Sequence, residues 1–117
     1  MEEVAKWVEK AEHDLNAAEV NLKEGIYDVS AFFSQQAAEK SLKALYISKY
    51  KELWKIHDLY ELAIKVEAPK TISDICEKLT QHYIATMYPN DEEYSKEDAE
   101  EAVEQAKKVM KWVKEKL

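Results

Sequence analysis

The sequence predicts an all-α protein, an antiparallel up-down four-helix bundle with one additional short helix. The 117-residue chain holds one glycine and two prolines, too little turn chemistry for a β-sandwich or barrel. Alanine, glutamate, lysine and leucine dominate, as they do in long helices. Apolar residues recur at spacings of three and four, which is typical of amphipathic helices. A chain of this length is expected to form a single domain over residues 1–117.

The first helix is predicted over residues 2–24, and Gly25 favours its end. Its apolar residues form one seam, which predicts a single buried face. The seam consists of Val4, Val8, Ala11, Leu15, Ala18 and Leu22.

The second helix, predicted over residues 27–49, is apolar on two opposite sides. One side consists of Ala31, Gln35, Ala38, Leu42 and Leu45, and the other of Phe33, Ala37, Lys40, Ala44 and Ile47. Such a helix lies at the centre of its bundle, or between its bundle and a second subunit. The pattern predicts a homodimer. Because Gln35 and Lys40 interrupt opposite sides, they are expected in different surroundings.

Three further helices are predicted. A short one over residues 58–66 begins with Asp58 and Glu61 as a capping pair, and a longer one runs from about residue 71 to before Pro89. The last helix begins at Ser95, with Asp98 three residues further on. The seams of the two longer helices are Ile72, Ile75, Cys76, Leu79 and Tyr83, and Ala99, Val103, Ala106, Met110, Val113 and Leu117.

Charge limits the classes of function. The formal net charge of −7 disfavours general nucleic-acid binding. The charge is uneven, with five lysines and one acid over residues 40–55, and eight acids and one lysine over residues 89–104. All seventeen basic residues are lysine, so a mechanism that needs a guanidinium group must take it from a partner.

Composition also excludes several kinds of site. No apolar run reaches the about 18 residues that a membrane span needs, and the N-terminus has no secretory signal pattern. The single cysteine, Cys76, lies on a helical seam and is expected in the core, so a cytoplasmic protein without disulfides is predicted. The chain has no metal-ligand spacing and no glycine loop for phosphate, and neither a metal nor a cofactor is expected.

Four segments, "AEHDLNAAE", "YDVSAFFSQQAAEKSLKALYI", "HDLYEL" and "YIATMYP", resemble HEPN domains (higher eukaryotes and prokaryotes nucleotide-binding), small helical proteins of archaea and bacteria. The resemblance runs from about Ala11 to Pro89 and implies a four-helix bundle with a short extra helix, usually dimeric. It also implies association with nucleotides or nucleotide-handling partners. Genes of this family often accompany a minimal nucleotidyltransferase in toxin–antitoxin-like pairs.

The resemblance bears on catalysis as well. Many HEPN proteins are metal-independent ribonucleases that use an arginine and a histidine a few residues apart, and this chain has no arginine. Met87 stands in "ATMYP" where relatives often show arginine. Lys51 and His57 have the spacing of such a pair, but lysine lacks the guanidinium fork. The chain is therefore expected not to be an enzyme on its own.

The candidate binding residues cluster in the second helix and after it. Lys40 and Lys43 can reach a phosphate, Gln35 or Gln36 can read a base edge, and His57 can bond a nucleotide or partner. The tyrosines near the end of the fourth helix, Tyr83, Tyr88 and Tyr94, can stack on a base. A role in the fold alone also explains each of these side chains. In particular, Lys40 is expected to pair with Asp14 in a buried polar network, and His13 and His82 to lie at the edge of the core.

The sequence therefore predicts a non-catalytic or partner-dependent HEPN protein, which binds a nucleotide or a minimal nucleotidyltransferase-type partner. One alternative is a divergent metal-independent ribonuclease toxin that uses Lys51 and His57. Another is a purely structural dimeric interaction module. A basic, open cleft around Lys40 and His57 would favour the first two hypotheses, whereas complete burial and pairing of these groups would favour the third.

Overall fold

Four long helices form an up-down bundle, and a short helix lies between the second and third of them. The computed structural model describes residues 2–87, 89 and 93–117, and it has no strand there. The helices are α1 (Glu2–Lys23), α2 (Tyr27–Tyr50), α3 (Leu59–Lys65), α4 (Lys70–Met87) and α5 (Lys96–Lys116). The predicted fold class is confirmed, and the predicted helix ends lie close to the observed ones.

The central element is α2, which packs against each of the other four helices. Its second apolar side is covered within the same chain, since Ala37 and Ala44 are fully buried and Ile47 is 1% exposed. A second subunit is therefore not needed to cover this side. The homodimer stays a prediction, but the pattern from which it was inferred has an explanation within one chain.

The apolar core lies mainly between α2, α3, α4 and α5. It contains Leu42, Leu45, Leu59, Leu62, Cys76, Leu79, Val109 and Val113 among its buried residues. A smaller cluster of Ala11, Ala37, Met110 and the partly buried Leu15 joins α1 to α2 and α5. The predicted α5 seam extends one residue too far, because Leu117 lies at the end of the helix and is 49% exposed.

Local backbone chemistry explains where several helices begin and end. Gly25 has a φ of +80°, a left-handed conformation that permits the turn between α1 and α2. Asp58 caps α3 by accepting hydrogen bonds from the backbone N–H groups of Tyr60 and Glu61. At α5, the hydroxyl of Ser95 accepts from the N–H of Asp98, and the carboxylate of Asp98 accepts from the N–H of Ser95. This capping box lowers the pKa of Asp98, chiefly through the backbone hydrogen bond from Ser95.

Cap removal at α5 should destabilise the protein. Ser95→Ala leaves the N–H of Asp98 without its side-chain acceptor, and the free energy of unfolding should fall by about 1 kcal/mol. Urea denaturation followed by circular dichroism measures this change. Thr71→Ala, an exposed substitution in the first turn of α4, is the control and should cause no such loss. Equal stability of Ser95→Ala and wild type would show that the capping box contributes nothing.

A second contact ties α4 to the segment before α5. The Nδ1 atom of His82 lies 2.8 Å from the hydroxyl oxygen of Tyr94. Burial of the imidazole lowers the pKa of His82, and the negative charges of Asp98 and Glu101 oppose this only in part. The fold therefore favours the neutral ring.

This lowered pKa predicts a loss of stability in acid. An unfolded histidine titrates near pH 6.5, so the contribution of neutral His82 is fully present above about pH 6.5. It is lost as the pH falls through the lower folded-state pKa. Between about pH 7 and pH 5, the free energy of unfolding should fall more for wild type than for His82→Gln. Thr71→Ala, which replaces an exposed side chain that does not titrate, should keep the wild-type pH dependence. Parallel curves for all three proteins would contradict the assignment to His82.

Candidate functional site

Several polar side chains lie inside the bundle on α2. Gln35 is fully buried, and Glu39 and Lys43 are 2% and 6% exposed. Buried polar groups cost free energy unless they are hydrogen-bonded, and buried charges cost more unless they are paired. Among the residues that the structure describes, no buried side-chain nitrogen or oxygen lacks a partner. These side chains therefore form a connected network.

The network begins on α1 at Asp14, whose side chain is 1% exposed. The Nζ of Lys40 lies 2.6 Å from one carboxylate oxygen of Asp14, and the Nζ of Lys10 lies 3.2 Å from the other. The Asp14–Lys40 pair that the sequence predicts is thus present. The Lys40 side chain is 16% exposed, and its ammonium also donates to the Oε1 atom of Gln36 at 3.1 Å.

Two glutamines continue the network along α2. The amide nitrogen of Gln36 donates to Oε1 of Gln35 at 2.6 Å, and the amide nitrogen of Gln35 donates to Oε1 of Glu39 at 3.2 Å. Gln35 and Lys40 do meet different direct partners, Glu39 and Asp14, but the two surroundings are connected. They project from different sides of the helix, but Gln36 lies between them and bonds to both.

Glu39 is the centre of the network. Its side chain is 3% exposed and accepts hydrogen bonds from Gln35, from Lys43 at 2.9 Å and from His57. This residue was not among those predicted from the sequence. A signal was available, because Gln35, Glu39 and Lys43 are each four residues apart and so share one helix face.

His57 is held at the edge of this network. Its Nδ1 lies 3.0 and 3.1 Å from the two carboxylate oxygens of Glu39. An ionised carboxylate only accepts hydrogen bonds, so Nδ1 carries the proton that it donates to Glu39. The His57 ring also stacks on Tyr83, with ring centroids 4.7 Å apart and planes inclined by 14°. The His57 side chain is 55% exposed, and the described residues give Nε2 no hydrogen-bond partner.

This arrangement positions an imidazole for contact with another molecule. The carboxylate fixes the tautomer and Tyr83 fixes the ring plane, while Phe32 stacks behind Tyr83 with centroids 6.4 Å apart. In the neutral ring Nε2 is a hydrogen-bond acceptor, and in the protonated ring it is a donor. The site can therefore bond a ligand or transfer a proton at Nε2.

The other predicted site residues that the structure describes are also held by partners within the chain. Lys43 is bonded to Glu39, and its Nζ lies 5.7 Å from the ring centroid of Trp7. Lys51 lies at the C-terminal end of α2 with a φ of 60°, and its ammonium donates to the carbonyl oxygen of Ser48. Lys51 and His57 are thus held by different groups. Tyr88 lies outside the described residues.

Two other kinds of chemistry receive no support in the described part of the chain. Cys76 is fully buried, and burial raises its pKa to about 12, so its thiol is not poised as a nucleophile. Over residues 2–87, 89 and 93–117, no group of three or more histidine, cysteine or acidic side chains is placed to hold a metal ion. None of the described helices is both long and apolar enough to cross a membrane.

Comparison with known proteins establishes the family. Residues 4–116 match the family model of the HEPN domain. The chain belongs to the HEPN domain family. One curated relative is a protein of Methanocaldococcus jannaschii named "Putative toxin MJ1304", which is 30% identical over 93% of this chain and 84% of its own length.

Solved structures agree with this HEPN assignment. The protein TT1696 from Thermus thermophilus has a TM-score of 0.91 and 30% identity, with all of both chains covered. An archaeal HEPN homologue, ST0689, has a TM-score of 0.82 and 28% identity, with 97% of this chain and 96% of that chain covered. A HEPN domain protein from Thermotoga maritima shares the fold, with a TM-score of 0.73 at 22% identity over 94% of this chain and 95% of that one.

The Asp14–Lys40 pair should be energetically coupled. Asp14→Leu leaves the Lys40 ammonium without its carboxylate, and Lys40→Met leaves a buried carboxylate with only Lys10 and His13 nearby. Each single change should cost about 3 kcal/mol. The double variant should cost far less than the sum, because it strands no charge. Chemical denaturation of the four proteins measures this coupling.

The control removes an exposed pair on the same helix. Lys6→Met breaks the ion pair between Lys6 and Glu2, whose side chains are 72% and 85% exposed, respectively. This substitution should change the free energy of unfolding little. Strictly additive effects of the Asp14 and Lys40 substitutions would mean that the two side chains do not stabilise each other.

Proposed function

We propose that this chain is a cytoplasmic, homodimeric HEPN protein that acts through a partner, and that the partner binds beside His57. The observation that carries the proposal is the buried Glu39 carboxylate, which holds Nδ1 of His57 while the His57 side chain stays 55% exposed. A side chain this firmly oriented is ready to contact another molecule without further loss of conformational freedom. A partner can also supply the guanidinium group that this chain lacks.

The surface near His57 supports a protein partner. Four exposed apolar side chains lie on α3 and α4, namely Tyr60, Ile64, Ile84 and Met87, which are 40–62% exposed. We call them the α3–α4 strip. The N–H of Leu59 donates to the hydroxyl of Thr80 at 3.0 Å, so the start of α3 lies against α4 one turn before Ile84. Within this strip, Ile84 directly follows Tyr83, on which His57 stacks, so Ile84 borders the His57 site. An exposed apolar side chain beside an oriented polar group favours a protein partner.

The lysines of the polar network favour a protein over a free nucleotide. A phosphate needs cations with open donors, but Lys40 is bonded to Asp14 and Gln36, and Lys43 is bonded to Glu39. Lys40 and Lys43 are buried and paired, which favours a structural role for them. His57 is exposed, which favours binding. We therefore assign Gln35, Gln36, Lys40 and Lys43 to the support of His57.

The class of partner comes from the family. The resemblance of the sequence implies a minimal nucleotidyltransferase in a toxin–antitoxin-like pair. The relative from Methanocaldococcus jannaschii, which carries a toxin name, supports this context. We propose a partner of this type for the present chain.

A metal-independent ribonuclease is the second candidate, favoured by one observation. A carboxylate-held imidazole is suited to move protons, and Glu39 holds His57 in this way. The proposed role of Lys51 has less support, since its ammonium donates to Ser48 and lysine lacks the planar fork of arginine. Purified protein with EDTA should leave single-stranded RNA intact. Cleavage by wild type that disappears in His57→Ala would favour the enzyme.

Partner binding beside His57 can be measured directly. The protein encoded by the neighbouring gene is purified and titrated against this chain by isothermal titration calorimetry. We expect a nucleotidyltransferase-type protein that binds, and we expect His57→Ala and Ile84→Lys each to weaken binding at least about tenfold. Leu117→Lys, a matched change at an apolar residue that is 49% exposed at the end of α5, should bind like wild type.

Two results would contradict the proposal. One is the absence of binding, and the other is binding that neither His57→Ala nor Ile84→Lys weakens.

Binding of free nucleotide is tested separately, by measuring the shift in melting temperature with millimolar ATP. If ATP stabilises wild type but not the Asp14→Leu/Lys40→Met variant, the nucleotide site lies at Lys40.

A further inference from the structure

The imidazole of His57 has the features of a nucleophile as well as those of a binding group. Its Nδ1 carries the proton that it donates to the buried carboxylate of Glu39, with 3.0 and 3.1 Å to the two oxygens. In the neutral ring, the electron pair that can form a new bond therefore lies on Nε2. Histidine forms covalent intermediates in proteins when a neighbouring group activates it.

The part of the ring that carries Nε2 is open to small molecules. The edge with Nδ1 faces Glu39, which is buried, whereas the His57 side chain is more than half exposed. The exposed area therefore belongs to the rest of the ring. Tyr83 covers one face of the ring, with centroids 4.7 Å apart. This stack leaves the plane of the ring free, and an electrophile approaches the electron pair of Nε2 in that plane.

Glu39 favours attack by Nε2 in two ways. Its negative charge raises the basicity of the ring through the Nδ1–H bond, as a carboxylate does for a histidine that binds a metal. When Nε2 forms a new bond, the ring becomes a cation, and both the carboxylate and the face of Tyr83 stabilise this charge. The ring is already oriented, so the reaction costs little conformational freedom.

The other two histidines lack this combination. His13 is exposed, but its Nδ1 lies 3.5 Å from Asp14, at the limit of a hydrogen bond, and two lysines already pair with that carboxylate. The Nδ1 of His82 lies 2.8 Å from the hydroxyl oxygen of Tyr94 rather than from a carboxylate, and the residue is partly buried. The chain thus contains its own comparison for the reactivity of His57.

We infer that Nε2 of His57 is a phosphoryl acceptor, which takes the group from small donors with a phosphorus–nitrogen bond, the phosphoramidates. Nε2 attacks phosphorus as the phosphorus–nitrogen bond of the donor breaks, and the electron pair of that bond leaves with the nitrogen. In phosphoramidate itself this nitrogen is already protonated, so ammonia leaves and no further proton is needed. The product is an imidazolium ring phosphorylated at Nε2, and its Nδ1–H still donates to Glu39.

The charges around the site agree with covalent transfer of a phosphoryl group. Lys40 and Lys43 use their hydrogen bonds within the chain, so they are not free to hold a phosphate ion. A covalently bound group needs no such cations, because the new bond retains it. The negative oxygens of a phosphoryl group also balance the positive charge of the ring, which an acyl group would leave unbalanced.

The inference concerns the atom that the proposed partner contact uses, but it does not need a partner. A phosphorylated Nε2 has neither an electron pair to accept a hydrogen bond nor a proton to donate one. Phosphorylation therefore removes the proposed contact and gives the chain a means of regulating it. In this respect alone, the inference rests on the proposed function.

Reaction of the purified wild type with potassium phosphoramidate at neutral pH tests the inference. Mass spectrometry of the intact protein counts the added phosphoryl groups, and tandem mass spectrometry assigns each to a histidine. Phosphorus NMR distinguishes the Nε2 product from the Nδ1 product. We expect modification of His57 at Nε2, at a rate at least about tenfold above that of His13 in the same molecule.

Three variants test the cause of this reactivity. Glu39→Gln keeps an oxygen that can accept from Nδ1 but removes the negative charge, and it should slow modification of His57 at least several-fold. Tyr83→Leu removes the stacked ring and should also slow the reaction, and it serves where circular dichroism shows that Glu39→Gln has lost its helices. His13→Gln, the matched control, should leave the rate at His57 unchanged.

The outcomes separate this inference from the proposed function. Modification of His57 that is no faster than that of His13, or that occurs mainly at Nδ1, would overturn the inference. Rates at His57 that neither Glu39→Gln nor Tyr83→Leu lowers would overturn it as well. A wild type that binds the partner but is not phosphorylated would refute this inference alone. A wild type that is phosphorylated at Nε2 but binds no partner would refute only the proposed function.

Discussion

The buried carboxylate of Glu39 is the interaction on which the polar interior depends. Its side chain is 3% exposed and accepts from Lys43, Gln35 and His57. An unpaired buried charge costs several kcal/mol, so a carboxylate at this position requires these donors. In turn, Lys43 and Gln35 need Glu39, because each is buried and has no comparable acceptor. The single residue thus joins the centre of α2 to the segment before α3, and through His57 to Tyr83 of α4.

The same requirement explains why binding capacity is concentrated at one atom. Burial forces Lys40, Gln36, Gln35 and Lys43 to use their hydrogen bonds within the chain. His57 has one ring nitrogen 3.0 Å from a buried carboxylate, while its side chain is 55% exposed. His13 has a similar but longer contact, with its Nδ1 3.5 Å from the buried carboxylate of Asp14. A protein with a net charge of −7 and engaged lysines attracts phosphate weakly. A partner that binds beside His57, as proposed, would gain its affinity mainly from the surface around the ring, where Ile84 of the α3–α4 strip supplies apolar area.

The sequence predicts the helices well because their physical causes are local. A helix that buries one face shows its period directly, and the Ser95 cap acts within three residues. The Asp14–Lys40 pair was predictable because a charge on a buried seam requires an opposite charge nearby. The contact of Glu39 with His57 was not, since it joins residues eighteen positions apart through the tertiary fold. Likewise, a second apolar side on α2 does not reveal whether the neighbour that covers it belongs to the same chain.

The polar network also bears on how firmly His57 is held. It starts at Asp14 on α1 and ends at His57. A change in the orientation of His57 would require a second arrangement of the network with a similar free energy. In the described part of the chain every buried side-chain donor and acceptor has a partner in the present arrangement. A second arrangement would strand at least one buried charge, at a cost of several kcal/mol. The network therefore favours a single orientation of the His57 ring.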